Sequence, residues 1–185
     1  MHAQNIKLNN KFHLKYVYDI DKKLSLNVSK KLKSKSIKNP NVALKDKNIK
    51  VIFISSSTST HISLITMAAK NRKIIFCEKP LDLNINKVIK CRKKIKRFNP
   101  KIQLGFNRRY DPGHYHLKKS LVNGKIGKLE KIIITSRDPS PPSFNYLKSS
   151  GGIFRDMTIH DFDLARFYLG KDPIKEIFSS GSNLS

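Results

Sequence analysis

Residues 51–80 run Val51-Ile52-Phe53-Ile54, then Ser55-Ser56-Ser57-Thr58-Ser59-Thr60, then His61-Ile62-Ser63-Leu64-Ile65-Thr66-Met67-Ala68-Ala69, and close on Lys73-Ile74-Ile75-Phe76-Cys77 and Glu78-Lys79-Pro80. Two short apolar, β-branched runs bounded by polar turns are the signal of buried strands. The stretch between them is long enough for a helix and carries its apolar residues at helical spacing. A strand, a helix and a second strand in about 30 residues predict a βαβ unit, and therefore a parallel sheet.

The same alternation continues outward. Leu14-Lys15-Tyr16-Val17-Tyr18 reads as an earlier strand ending at Asp19, and Met1 to about Asn10 as part of a helix. A lysine-rich amphipathic helix is predicted over 84–97, followed by a strand over Lys101-Ile102-Gln103-Leu104-Gly105-Phe106. Beyond 106–110 the character changes. A short helix near 111–122 stops at Asn123-Gly124, and a strand is expected over Leu129–Ser136, then a proline-rich loop from Pro139 to Pro142. Gly151-Gly152 opens a helix expected to run to about Leu169, where Gly170 closes it. Two domains are expected, 1–106 and 107–185.

The chain has 185 residues, with 38 Lys+Arg against 13 Asp+Glu. The net charge of +25 is uneven: residues 1–101 carry +20 and residues 102–185 carry +5. Nucleic-acid binding must therefore be weighed. The lysines are scattered singly and in pairs along predicted exposed helix faces, with few aromatic residues among them to stack bases. A solvated basic surface, with no specific nucleic-acid partner, is the expectation. No apolar run approaches the roughly 18–20 residues of a membrane span, and no membrane partner is expected. Cys77 and Cys91 form no CxxC pair and fit inert thiols in a reducing cytoplasm, and no Cys/His cluster has the spacing of a metal site.

In parallel sheets ligands bind off the carboxyl ends of the strands. That directs attention to Asp19, the loop 55–60, Glu78-Lys79-Pro80 and Asn107-Arg108-Arg109. An acid at the end of such a strand can accept hydrogen bonds from an adenosine ribose, and Asp21 competes with Asp19 for that part. Lys79 stands where an amine can bond a substrate hydroxyl or steady an alkoxide. Asp156, His160 and Asp163, spaced i, i+4 and i+7, share one helix face. A carboxylate that orients an imidazole makes a general base. The plainer alternative is an i, i+4 pair that only caps or solubilises its helix. No GxGxxG or GxxxxGK[ST] phosphate turn occurs in the chain.

Read in order, Tyr18-Asp19-Ile20-Asp21, Thr58-Ser59-Thr60-His61, Cys77-Glu78-Lys79-Pro80, Gly105-Phe106-Asn107-Arg108-Arg109-Tyr110-Asp111-Pro112, Thr135-Ser136-Arg137-Asp138-Pro139 and Gly151-Gly152-Ile153-Phe154-Arg155-Asp156-Met157-Thr158-Ile159-His160-Asp161-Phe162-Asp163 resemble the glucose–fructose oxidoreductase / inositol dehydrogenase family, Gfo/Idh/MocA, and within it the inositol 2-dehydrogenase branch. The resemblance implies a Rossmann domain followed by an α/β domain with a mostly antiparallel sheet. It implies NAD-dependent oxidation of a cyclic polyol, myo-inositol to 2-keto-inositol. His160 would be the general base, Asp156 its orienting acid, and Lys79 the group that binds the reacting hydroxyl beside the nicotinamide. Asp19 would hold the adenosine ribose and favour NAD over NADP. Ser56, Thr58, His61 and Glu78 would line the dinucleotide, and Arg109, Asp138 and Asp163 would contact substrate. The family's first strand and glycine turn are missing ahead of Met1–Asn5, and Ile177–Ser185 stop where its second sheet is still being built. The expectation is therefore a chain shortened at both ends that binds NAD weakly alone, the full-length form being a homo-oligomer. The alternatives are a family member acting on another sugar or polyol, and a non-catalytic basic binding module.

Overall fold

A computed structural model describes residues 1–182; Asn183, Leu184 and Ser185, the end of the stretch expected to stop mid-sheet, lie outside the described residues. The chain forms two compact units, Met1–Gly105 and Phe106–Ser185.

The first unit is α/β of Rossmann type. In chain order it holds α1 (His2–Leu8), β1 (Tyr16–Val17), α2 (Lys22–Lys31), β2 (Lys35–Ser36), α3 (Asn41–Lys45), β3 (Val51–Ile54), α4 (Thr58–Lys70), β4 (Ile74–Cys77), α5 (Ile85–Ile95) and β5 (Ile102–Leu104). Both sheets are parallel. β1 pairs with β2, and β3, β4 and β5 pair in that order, with Val51 opposite Ile74, Ile54 opposite Cys77, and Cys77 opposite Leu104.

β4 is the central strand of its sheet, and Ile75 and Cys77 on it are fully buried. α4 covers that face with His61, Ile65, Ala68 and Ala69, which fall at i, i+4, i+7 and i+8 on one stripe. The two alanines let helix and sheet approach closely, and Ile54, Leu44, Cys91 and Ile95 complete the core. α5 buries only Cys91 and Ile95 and leaves its basic residues in solvent, with Arg92, Lys93 and Lys94 in the last turn where the helix dipole favours cations.

Polar contacts replace apolar ones at two places. Under α2 the buried residues are Ser25 and Ser29. Ser25 Oγ lies 2.7 Å from Ser36 Oγ and donates to the Val17 carbonyl at 3.2 Å, while Ser29 Oγ donates to the Ser25 carbonyl at 2.6 Å. At the opposite ends of the strands, Lys15 Nζ and the Tyr16 hydroxyl both donate to Asp46 Oδ2, at 2.6 and 3.0 Å. Lys73 Nζ donates to the Asp46 and Ile49 carbonyls, each at 2.7 Å, and burial lowers its pKa.

The regular elements among the described residues of the second unit are helices, including α6 (Pro112–Val122), α7 (Phe144–Ser150), α8 (Ile153–Asp156) and α9 (Thr158–Leu169). Asp111 caps α6 through the Gly113 and His114 N–H groups, with Pro112 in the first turn. His114 Nδ1 meets the Tyr168 hydroxyl at 2.7 Å, and Lys118 Nζ donates to the Tyr168 carbonyl, which ties α6 to α9. Gly151 and Gly152 both take positive φ, 85° and 83°, so the chain turns from α7 into α8 through two successive residues in a backbone conformation that disfavours a Cβ.

Three expectations need correction. The described residues contain parallel sheets only, so the mostly antiparallel sheet is not among them. Residues 129–136 are not a hydrogen-bonded strand; Ile132, Ile134 and Ser136 are half-buried and their neighbours exposed, which is strand alternation without a ladder. The helix expected from Gly152 to Leu169 breaks at Met157, whose φ and ψ of −95° and −59° separate α8 from α9.

Two measurements check this account. Ile75→Ala removes a fully buried side chain and is expected to cost about 2–4 kcal/mol in denaturant unfolding, whereas Ile20→Ala, 92% exposed, stays within about 0.5 kcal/mol. The Lys15 ammonium, followed by the Asn48 N–H, holds the Asp46 carboxyl at about 2. The stability this gives is present above the ordinary carboxylate range and is lost as pH falls through about 2. Carboxyl NMR of Lys15→Met is expected to return the Asp46 midpoint toward about 3.9.

Candidate active site

In the first unit the side chains of interest stand at the carboxyl ends of the strands. Asp19 follows β1 and accepts the Asp21 N–H on Oδ1 at 2.9 Å. Asp21 is the N-cap of α2, taking the Lys23 and Leu24 N–H groups. The two acids are thus distinguished: Asp21 is committed to the helix, and Asp19 keeps acceptor sites beyond its one local bond. Asp19 lines a cleft of about 160 Å³ with Tyr18, Lys22, Ser36 and Lys38 among its walls. A carboxylate beside hydroxyl and ammonium groups there suits the hydroxyls of a ribose.

After β3, Ser56 Oγ and Thr60 Oγ1 are 2.6 Å apart, and Thr58 is the first residue of α4. His61, 1% exposed, sits with Nδ1 2.8 Å from the Pro80 carbonyl and Nε2 2.9 Å from the Ser56 carbonyl. A neutral ring can donate to only one of these. His61 staples the loop after β3 to the turn after β4, so it shapes both without presenting its ring to solvent.

Glu78 follows β4. His2 Nε2 donates to its Oε1 at 2.6 Å, and the Lys79 N–H to its Oε2 at 3.3 Å. Lys79 comes next, before a cis bond to Pro80. Burial, then the Glu78 charge, pushes the neighbouring Cys77 thiol up to about 12, which makes it a poor nucleophile at neutral pH.

In the second unit Asp156 ends α8 and His160 lies in the first turn of α9, both half-buried. The Phe106 ring stands edge-on to the His160 ring, 6.3 Å between centroids. Tyr146 of α7 bonds Asp156, and that bond, burial and the carboxylate charge raise the phenol's pKa. Arg109 and Asp163 are each other's partners: Nε and Nη2 form a fork on the two carboxylate oxygens at 2.7 and 2.6 Å, and the bond raises the Arg109 pKa. Asp163 is 9% exposed, and the Arg109 guanidinium also covers the Phe167 ring. Arg108 and Ser136 both bond Asp161. Asp138 is exposed in the loop that follows.

His2, Gly105, Lys22, Ser36, Lys38 and the Arg108–Asp161 pair were not found by reading the sequence. β2 is two residues long and leaves no periodic trace, so nothing in the sequence brings Ser36 and Lys38 to Asp19. His2 and Glu78 are 76 positions apart.

Comparison with known proteins bears on both units. Residues 1–106 match a family model described as "Oxidoreductase family, NAD-binding Rossmann fold", GFO_IDH_MocA, and residues 114–185 match the "GFO/IDH/MocA C-terminal domain". The chain is 40% identical over 185 residues to a myo-inositol 2-dehydrogenase of Thermotoga maritima, covering 100% of this chain and 55% of that protein. It is 50% identical over 127 residues to an inositol 2-dehydrogenase of Rhizobium meliloti, covering 69% of this chain and 38% of that one. Among solved structures, a myo-inositol dehydrogenase from Corynebacterium glutamicum superposes with a TM-score of 0.86 at 41% identity, over 90% of this chain and 50% of that one. The chain spans about half the length, or less, of these relatives.

Arg109→Lys keeps the charge and loses the fork, leaving one buried carboxylate oxygen short of a donor. It is expected to destabilise the second unit by about 1–2 kcal/mol in thermal unfolding, with Asp163→Asn close behind; an unchanged midpoint for both would show that the fork does not hold α9.

Proposed function

We infer the function of this chain from its membership: it belongs to the GFO/IDH/MocA oxidoreductase family. We propose that it carries the nucleotide-binding and catalytic residues of an NAD-dependent dehydrogenase that oxidises a cyclic polyol, myo-inositol, to the corresponding ketone. The observation that carries this reading is the 40% identity, along all 185 residues, to a protein named as a myo-inositol 2-dehydrogenase.

The residues have consistent parts to play. Asp19 accepts hydrogen bonds from the adenosine ribose in the cleft beyond β1, and its charge disfavours a 2′-phosphate, hence NAD over NADP. Ser56, Thr58 and Glu78 flank the dinucleotide, and His61 fixes the two loops that carry them. NAD, when bound, supplies the hydride acceptor. Lys79 donates to the reacting hydroxyl and steadies the negative charge that develops on it. His160 takes the hydroxyl proton, and Asp156 holds the imidazole in orientation and stabilises its protonated form. The imidazole must start neutral, so turnover rises with pH through its titration. Arg109 and Asp163 form one edge of the polyol site as a pair, and Asp138 approaches the substrate from its loop. Residues 129–136, exposed and half-buried in alternation from 131 on, suit a strand of a mostly antiparallel sheet in the second domain. The whole enzyme is a cytoplasmic homo-oligomer.

The test joins residues 1–185 to the segments of the Thermotoga maritima relative that flank the matched region on both sides, and follows NADH absorbance with myo-inositol, scyllo-inositol, glucose and xylose. NADH is expected with myo-inositol, and His160→Ala and Lys79→Met are each expected to lower kcat by about a hundred- to ten-thousand-fold. Turnover on glucose or xylose alone would move the reading to another branch of the family. Undiminished turnover in His160→Ala would end it.

A further inference from the structure

The Glu78 carboxylate is held from three sides. His2 Nε2 donates to Oε1 at 2.6 Å, and the Lys79 N–H to Oε2 at 3.3 Å. On the third side lies Gly105, bonded through its N–H to the Cys77 carbonyl at 2.9 Å. A Cβ on Gly105 would stand 2.7 Å from Oε2 and 2.9 Å from Cδ. The missing methyl is the space the carboxylate fills. His2 is itself located by packing. Its ring meets Phe76 edge-on at 5.2 Å, and Phe76 stacks on Phe53 at 4.8 Å. The imidazole therefore rests on β3 and on β4, the strand that leads into Glu78.

Stability alone does not account for this arrangement. The side chains of His2 and Glu78 are 36% and 30% exposed, and ion pairs so placed contribute little. What the contacts fix is position. The N–H that Glu78 holds belongs to the peptide plane leading directly into Lys79, so the carboxylate sets the direction in which the Lys79 side chain leaves the strand end. Misplacing a substrate-binding amine by an ångström is costly in rate.

We propose that His2 and Gly105 are positioning residues for Lys79, acting through the Glu78 carboxylate; this rests on the reading of Lys79 as the amine that binds the reacting hydroxyl. The test is amide hydrogen exchange in the full chain labelled with ¹⁵N-lysine, the Lys79 resonance being identified by its loss in Lys79→Arg. His2→Ala and Gly105→Ala are expected to speed exchange at Lys79 about fivefold or more. His2→Gln, whose amide nitrogen can donate to the same oxygen, is expected to restore it to within about twofold. The Lys73 amide, bonded to the Ala68 carbonyl in the same sheet, is the internal reference and should not change. Unchanged exchange at Lys79 in His2→Ala, failure of His2→Gln to restore it, or Lys73 rising in step would each overturn the proposal. The readout needs no turnover. If Lys79→Met turned over normally in the joined enzyme, the dehydrogenase reading would fall while the exchange result still decided the brace.

Discussion

Everything in the first unit depends on burying a four-residue strand. β4 has parallel neighbours on both edges and α4 across one face, and its Ile75 and Cys77 are shut off from water. A strand so enclosed has one allowed register, because a slip by one residue would turn Ile75 and Cys77 out of the core. That register fixes where the strand stops. Glu78 and Lys79 emerge at the sheet's carboxyl end because Cys77 is the last residue the core can hold. The same burial keeps the Cys77 thiol protonated, so the one sulfur beside these groups takes no part in proton transfer.

The large positive charge finds a physical place in this frame. Residues 1–101 contain five acids, and each accepts hydrogen bonds within the fold: Asp19 from Asp21, Asp21 from the first turn of α2, Asp46 from Lys15 and Tyr16, Glu78 from His2, and Asp82 from Asn84. Each acid thus has at least one local bond, whereas the helix lysines of α2 and α5 project into solvent. The basic excess is thus what remains once the scarce carboxylates have taken local positions, and, the buried Lys73 apart, it lies outside the core.

The strands and helices from residue 51 to 104 were legible because their apolar residues follow the two periodicities without interruption. β2 and α3 were not, for two residues carry no period and five barely complete a turn. α2 hid for a different reason: its buried face carries Ser25 and Ser29 while Leu24 and Leu26 are exposed, which reverses the usual pattern. The break at Met157 was invisible because Met and its neighbours are ordinary helix formers. In the candidate site, Asp156 and His160 could be named from their spacing, but the continuous helix that spacing assumed is interrupted at Met157, which puts them on α8 and α9. Arg109–Asp163 could be named but not paired, being 54 residues apart. The His2–Glu78 contact left no mark in the sequence at all.

The serine seam beneath α2 has a thermodynamic side. Where a helix is held by buried leucines alone, lifting it exposes apolar surface and raises the heat capacity; here, beside the buried Leu32 and Ile37, the contacts broken include hydroxyl to hydroxyl and hydroxyl to carbonyl. Detaching α2 from β1 and β2 consequently exposes less hydrocarbon than a seam of leucines would, and responds correspondingly less to urea. A partly polar seam of this kind costs less to part than the apolar core around β4, and it carries one wall of the Asp19 cleft.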